Sequence, residues 1–96
     1  MTELTLVSKQ SRPLRPLVEA ALANELRLVM AAIRQTEERL RAFELQYGLP
    51  TIEFIARFEN DELEETLEYV EWVGENRLLN HLQEKAETFQ GIEIEN

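Results

Sequence analysis

The sequence contains no cysteine, which excludes a disulfide framework, a thiolate metal site and a cysteine nucleophile. Its one histidine, His81, has Leu78 three positions before it and no second histidine four positions away. The Glu-x-x-His pairs of helical di-iron sites and the paired histidines of a zinc-protease helix are therefore missing. Three glycines, Gly48, Gly74 and Gly91, lie too far apart to cradle a phosphate. The carboxylate-rich run 60–65 lacks the alternating oxygen ligands and central glycine of a calcium loop. No apolar run approaches the roughly 18–20 residues of a membrane span, and the first residues lack the apolar core of a signal peptide. The expectation is a cytoplasmic, non-enzymatic protein with no metal, no cofactor and no membrane partner.

What is present is charge and helical periodicity. The 96 residues carry a net charge of −9, placed unevenly: residues 1–50 hold seven basic and six acidic side chains, residues 51–96 three and thirteen. An acidic half repels nucleic-acid backbones and favours basic partners.

Leu22, Leu26, Val29, Ile33, Thr36, Leu40, Phe43 and Tyr47 step alternately by four and three. This is an a/d seam on one long helix, 17–47, apolar except at Thr36. The seam is the expected core and oligomer contact. Pro16 suits the first helical turn, Gly48 the left-handed position after the last, and Pro50 blocks continuation. Thr51 is read as the cap of a short helix, 51–59, carrying Phe54, Ile55 and Phe58 across the end of a hairpin. Asn60 or Asp61 is read as the cap of a second long helix, 61–90, with apolar positions Leu63, Leu67, Val70, Gly74, Leu78, Leu82, Lys85 or Ala86, and Phe89. Gly74 on that face suggests close approach of another backbone.

The two ends, MTELTLVSKQ and GIEIEN, alternate apolar and polar residues in short strand-like patterns. Such tails could pair with each other, with a second copy or with a partner's sheet edge, or stay disordered. Residues 1–15 form an extended or flexible lead-in containing a small basic cluster, Lys9, Arg12 and Arg15.

The fold expected is all-α, a single domain over residues 1–96. It is a long antiparallel helical hairpin with a short helix at the bend and short extended tails, associating into a helical bundle. Apolar surface in excess of what two helices cover mutually argues for a homo-oligomer or a partner.

Asp61, Glu64, Glu68, Glu71 and Glu75 also step by three and four, which on a continuous helix makes an acidic stripe flanked by Trp72. Like charges at i,i+4 cost a few tenths of a kcal/mol each, so the stripe opposes helix stability. These six residues are the candidate partner-binding set, with charge steering a basic protein and Trp72 anchoring it.

The stretch RLRAFELQYGLPTIEFIARFENDELEETLEYVEW, with Tyr47, Gly48, Glu53, Phe54, Phe58, Glu62, Leu63, Glu71 and Trp72, resembles small prokaryotic antitoxin-like proteins encoded beside a small toxin. In that pattern a long helix ends in a Tyr-Gly turn. An aromatic-rich Glu-Phe segment, an acidic Glu-Leu element and a closing Glu-Trp follow. The pattern often has glycine before the Glu-Leu element, where this chain has Asp61. The resemblance covers the middle third of the chain. It implies an antitoxin that binds and neutralises a cognate toxin, a nuclease, by occlusion. A helical oligomerisation or adaptor module is the alternative. A DNA-binding regulator built on the first strand ranks last, because it needs a helix break that 17–47 does not offer.

Overall fold

Leu, Ala, Glu and Arg dominate residues 17–47, and neither glycine nor proline interrupts them. In the computed structural model, which describes residues 2–5 and 14–95, they form one unbroken helix, α1 (Arg15–Tyr47). Pro16 sits in its first turn, where a missing N–H costs no hydrogen bond. At the far end Gly48 adopts φ 63° and ψ 35°, and its N–H donates to the Glu44 carbonyl. This is the left-handed closure for which glycine is suited.

Helices α2 (Thr51–Glu59) and α3 (Leu67–Gln90) follow. α3 returns antiparallel along α1: Tyr47 meets Tyr69, Phe43 meets Trp72, and Glu25 pairs with Lys85. The expected all-α hairpin with a short helix at its bend is the observed architecture, drawn out to 61 × 22 × 18 Å. No helix among the described residues is long and apolar enough to cross a membrane. The tails do pair with each other, β1 (Thr2–Thr5) lying parallel to β2 (Ile92–Glu95) with Leu4 opposite Ile94. Lys9 and Arg12 of the basic cluster lie outside the described residues, while Arg15 pairs with Glu19 at 2.6 Å.

The α1 seam faces inward along its length. Val29, Ile33, Thr36 and Leu40 are buried, and Leu22, Leu26, Phe43 and Tyr47 are half-buried. Thr36, its polar member, satisfies its hydroxyl by donating to the Ala32 carbonyl at 2.8 Å. Two clusters result. Near the tails, Val29, Ile33 and Ala86 pack with Leu26, Leu79, Leu82 and Phe89. Toward the bend, Leu40, Phe54 and Trp72 are surrounded by Phe43, Tyr47, Leu63, Tyr69 and Val73.

Three sequence readings at the bend are corrected. Thr51 is the first residue of α2 rather than its cap. Its N–H donates to the Glu44 carboxylate at 2.7 Å, and its hydroxyl accepts from the Trp72 indole. Neither Asn60 nor Asp61 starts the third helix. Asn60 closes α2, and Asp61 turns left-handed at φ 56°. A non-helical connection then carries Leu63 into the bend cluster, and Thr66 caps α3 by accepting from the Tyr69 N–H at 3.1 Å. The seam of α3 departs from the one expected at Leu67, Val70, Gly74 and Leu78, while Leu82, Ala86 and Phe89 pack inward as expected. Tyr69, Trp72, Val73, Leu79, Leu82, Ala86 and Phe89 face the core. Leu67, Val70 and Leu78 are 76, 51 and 39% exposed. Large aromatics bury more area than Leu67 or Val70, and their face wins. Gly74 goes outward with that exposed stripe, and a β-carbon on it would meet nothing within 4 Å.

Opposite outcomes are expected at two backbone positions. Gly74→Ala adds a side chain into open space and should stabilise by about 0.5–1 kcal/mol. Asp61→Gly should be neutral or stabilising, whereas β-branched Asp61→Val should cost about 1–2 kcal/mol in the left-handed region. Urea denaturation followed by circular dichroism measures all three, and a destabilised Gly74→Ala would contradict the open surroundings of that glycine.

Candidate protein-binding surface

Trp72 belongs to the core. It is wholly buried, stacked on Phe54 of α2 at 3.8 Å between centroids and 3° between planes. On α1, Phe43 stacks with it at 5.4 Å and Tyr47 at 5.6 Å. Its indole N–H donates to the Thr51 hydroxyl at 3.0 Å. An anchor for a partner must be reachable, so the sequence reading of Trp72 as an interface residue is overturned. The reason is that α3 starts at Leu67, and the aromatic face of its first turns is what α1 and α2 enclose.

The carboxylates of the candidate set separate into three environments. Asp61 and Glu64 stand on the connection before α3, exposed to solvent. They are not part of a helical stripe. Glu68 and Glu71 are exposed on the first turns of α3, and Glu68 accepts from the Gln46 amide at 3.2 Å. Glu75 is half-buried. One of its oxygens accepts from Arg39 Nη1 at 3.5 Å, while the other is buried and accepts no hydrogen bond from any described residue. Glu62 and Glu65, beside the set in sequence, are exposed as well. The outcome is an acidic surface running from the connection onto α3, with exposed Leu67 and Val70 among the charges. The apolar contact that Trp72 was expected to supply is offered by these two residues. Their exposure was legible only once the start of α3 was known, because the same spacing reads equally well as a core face.

Beside this surface lies a groove of about 490 Å³ between α1 and α3. Arg39, Ala42, Phe43 and Gln46 form one wall and Glu71, Gly74 and Glu75 the other. No residue of α2 lines it. A second groove, of about 520 Å³, opens where α2 crosses the hairpin and is lined by polar residues such as Glu37, Arg41 and Asn80 together with Leu40, Ile52, Ile55 and Leu79. The α1 walls of the two grooves fall on opposite sides of the seam, so α2 covers one face of the hairpin and leaves the other open. His81 is exposed on the outer part of α3. No group of three or more His, Asp or Glu side chains among the described residues converges as metal ligands would.

Comparison with family models, with curated proteins and with solved structures finds no match to this chain.

The Trp72 environment predicts two separable losses of stability. Trp72→Ala should cost about 3–5 kcal/mol as a core aromatic deletion. Thr51→Val keeps the volume but leaves the indole N–H unpaired, and should cost about 1–3 kcal/mol. Equilibrium unfolding tests both. Parent-like stability in Trp72→Ala would return that residue to the surface.

Proposed function

We propose that this chain is a non-enzymatic binding protein of the antitoxin kind, which neutralises a basic protein partner, a nuclease toxin, by covering it. The observation that carries the reading is the acidic surface at the bend. Asp61, Glu62, Glu64, Glu65 and Glu71 are exposed and have no ion-pair partner among the described residues, and Leu67 and Val70 stand exposed between them. Carboxylates crowded in this way repel one another in the free protein and are relieved by a cationic surface. Exposed apolar side chains within such a patch add the contact area that charge alone does not.

The resemblance of residues 47–72 to antitoxin-like proteins gives the reading its class, and the backbone supports it at two points. Gly48 of the Tyr-Gly turn is left-handed, and so is Asp61, at the position where that pattern often has glycine. A departure in residue type is thus compatible with the same chain path, because aspartate tolerates the left-handed region better than most residues. The alternative of an oligomerisation or adaptor module is favoured by the exposed stripe Leu67, Val70 and Leu78, which a second copy could also cover.

The test is co-expression with the product of the adjacent gene, scored by growth and by co-purification. Rescue should be obtained with the parent and impaired by the triple change Glu62→Gln, Glu64→Gln, Glu65→Gln at equal soluble protein. Rim charges act mainly through encounter, so the variant should show slower association and a shallower salt dependence. A parent that neither rescues nor co-purifies would leave the adaptor reading in its place.

A further inference from the structure

We infer that the open groove between α1 and α3 is the seat of one amphipathic helix from a basic protein partner, and that an arginine of that helix pairs with the free oxygen of Glu75. The inference rests on the reading of this chain as a binder of basic proteins and adds where and how the partner docks.

The lining of the groove is mixed in character. Ala42, Phe43 and Gly74 contribute small or flat apolar surface, while Glu71 and Glu75 are its carboxylates and Arg39 is its single cation. Phe43 is the ring stacked on Trp72, so the groove is backed by the aromatic cluster of the core. Gly74 sets the width. A β-carbon there would meet no atom of this chain, so the glycine is not required by the packing of the hairpin itself. It nevertheless weakens a helix interior by about 0.5–1 kcal/mol. Its effect is to let another backbone come close to α3 at that level.

Two parallel-sided helices present a trough into which the ridge of a third helix fits, the common way in which helical partners are recognised. Beyond the groove the same side of α3 continues as Val70 and Leu67, which extends the apolar track toward the bend. The charge on the occupant follows from Glu75. Arg39 holds one carboxylate oxygen at 3.5 Å and leaves the other buried and unpaired. An incoming guanidinium reaches that oxygen only as the carboxylate turns outward, which exchanges the long Arg39 contact for the new pair. A second copy of this chain fits less well. A two-fold contact through this face would bring two acidic patches together, with Arg39, already paired with Glu75, as the one cation that each groove lining contributes.

The probe is a synthetic 18-residue amidated peptide, helical, with leucine and alanine on one face and arginines flanking it. A version with glutamate at every arginine position is the control. Binding is measured by calorimetry on the full chain and mapped by amide shifts at Ala42, Gly74 and Glu75. The arginine peptide should bind and shift those amides, and the control should not. Gly74→Leu, which fills the groove, should raise the melting temperature yet weaken binding about tenfold or more, and Glu75→Gln should weaken it about tenfold by removing a charge-assisted hydrogen bond. A stabilised Gly74→Leu that still binds within twofold of the parent would overturn the proposal. So would shifts confined to the connection 61–66, or self-association of the parent that Gly74→Leu abolishes. Failure of the broader reading is distinguishable. If Gly74→Leu keeps toxin rescue while the triple glutamine variant loses it, the groove is not the seat and the antitoxin reading stands. If the peptide binds in the groove but no adjacent product is neutralised, the groove stands and the antitoxin reading falls.

Discussion

The stack of Phe54, Trp72 and Phe43 joins all three helices, and most of what is particular about this fold depends on it. A hairpin of two helices has no enclosed interior, only a line of contact. Trp72 changes that at the bend by stacking both on Phe54 of α2 and on Phe43 of α1, while its N–H reaches Thr51. Thr51 is fixed in turn by the Glu44 carboxylate, which accepts from its backbone N–H. A side chain of α1 thus holds the start of α2, and the start of α2 holds the indole of α3. Stacked aromatic pairs are worth about 0.5–1.5 kcal/mol beyond the area that they bury. The position of the acidic surface follows from the same arrangement. With the aromatic face of α3 turned inward, Leu67, Val70, Glu71 and Gly74 turn out.

Much of the architecture was legible in the residues. The seam from Leu22 to Tyr47 is unambiguous because alternate steps of three and four persist over 26 residues, and one period fits them throughout. The Gly48 turn was legible for a local reason, since a glycine followed by proline after a helical run has few other uses. The second long helix was harder, because α3 carries two apolar tracks. Leu67, Val70, Gly74 and Leu78 form one, and Tyr69, Trp72, Leu79 and Ala86 the other. Spacing alone ranks them equally. Ring area decides between them, and only when α1 and α2 supply the rings that Trp72 stacks on. The start of α3 was misplaced for a related reason: Asp61 and Thr66 are both good caps, and the choice depends on Leu63 being drawn into the bend cluster.

The candidate surface shows the same division. Its charge was readable from composition, since thirteen of the nineteen acidic residues lie after residue 50. Its shape was not. The stripe from Asp61 to Glu75 presupposes one continuous helix, and the break before Leu67 splits it into a connection, an exposed helical turn and a half-buried Glu75. The groove beside Glu75 depends on α2 lying on one face of the hairpin only, a choice made by contacts distant in sequence.

The two clusters of the core are unequal in kind. The bend end holds a set of interlocked rings, whereas the tail end holds Val29, Ile33 and Ala86 with partly covered neighbours and a single aromatic, Phe89. Local opening free energies follow buried contact, so amide exchange should be slowest around Phe43 and Trp72 and fastest toward Leu22 and Phe89. The molecule then behaves like a clasp riveted at one end. The strand pair β1–β2 lies at the looser end, where it joins the chain's two extremities across the mouth of the hairpin. Fraying of the last turns of α3 releases that pair, so order in the tails reports the state of the hairpin, while the acidic surface stays on the riveted end.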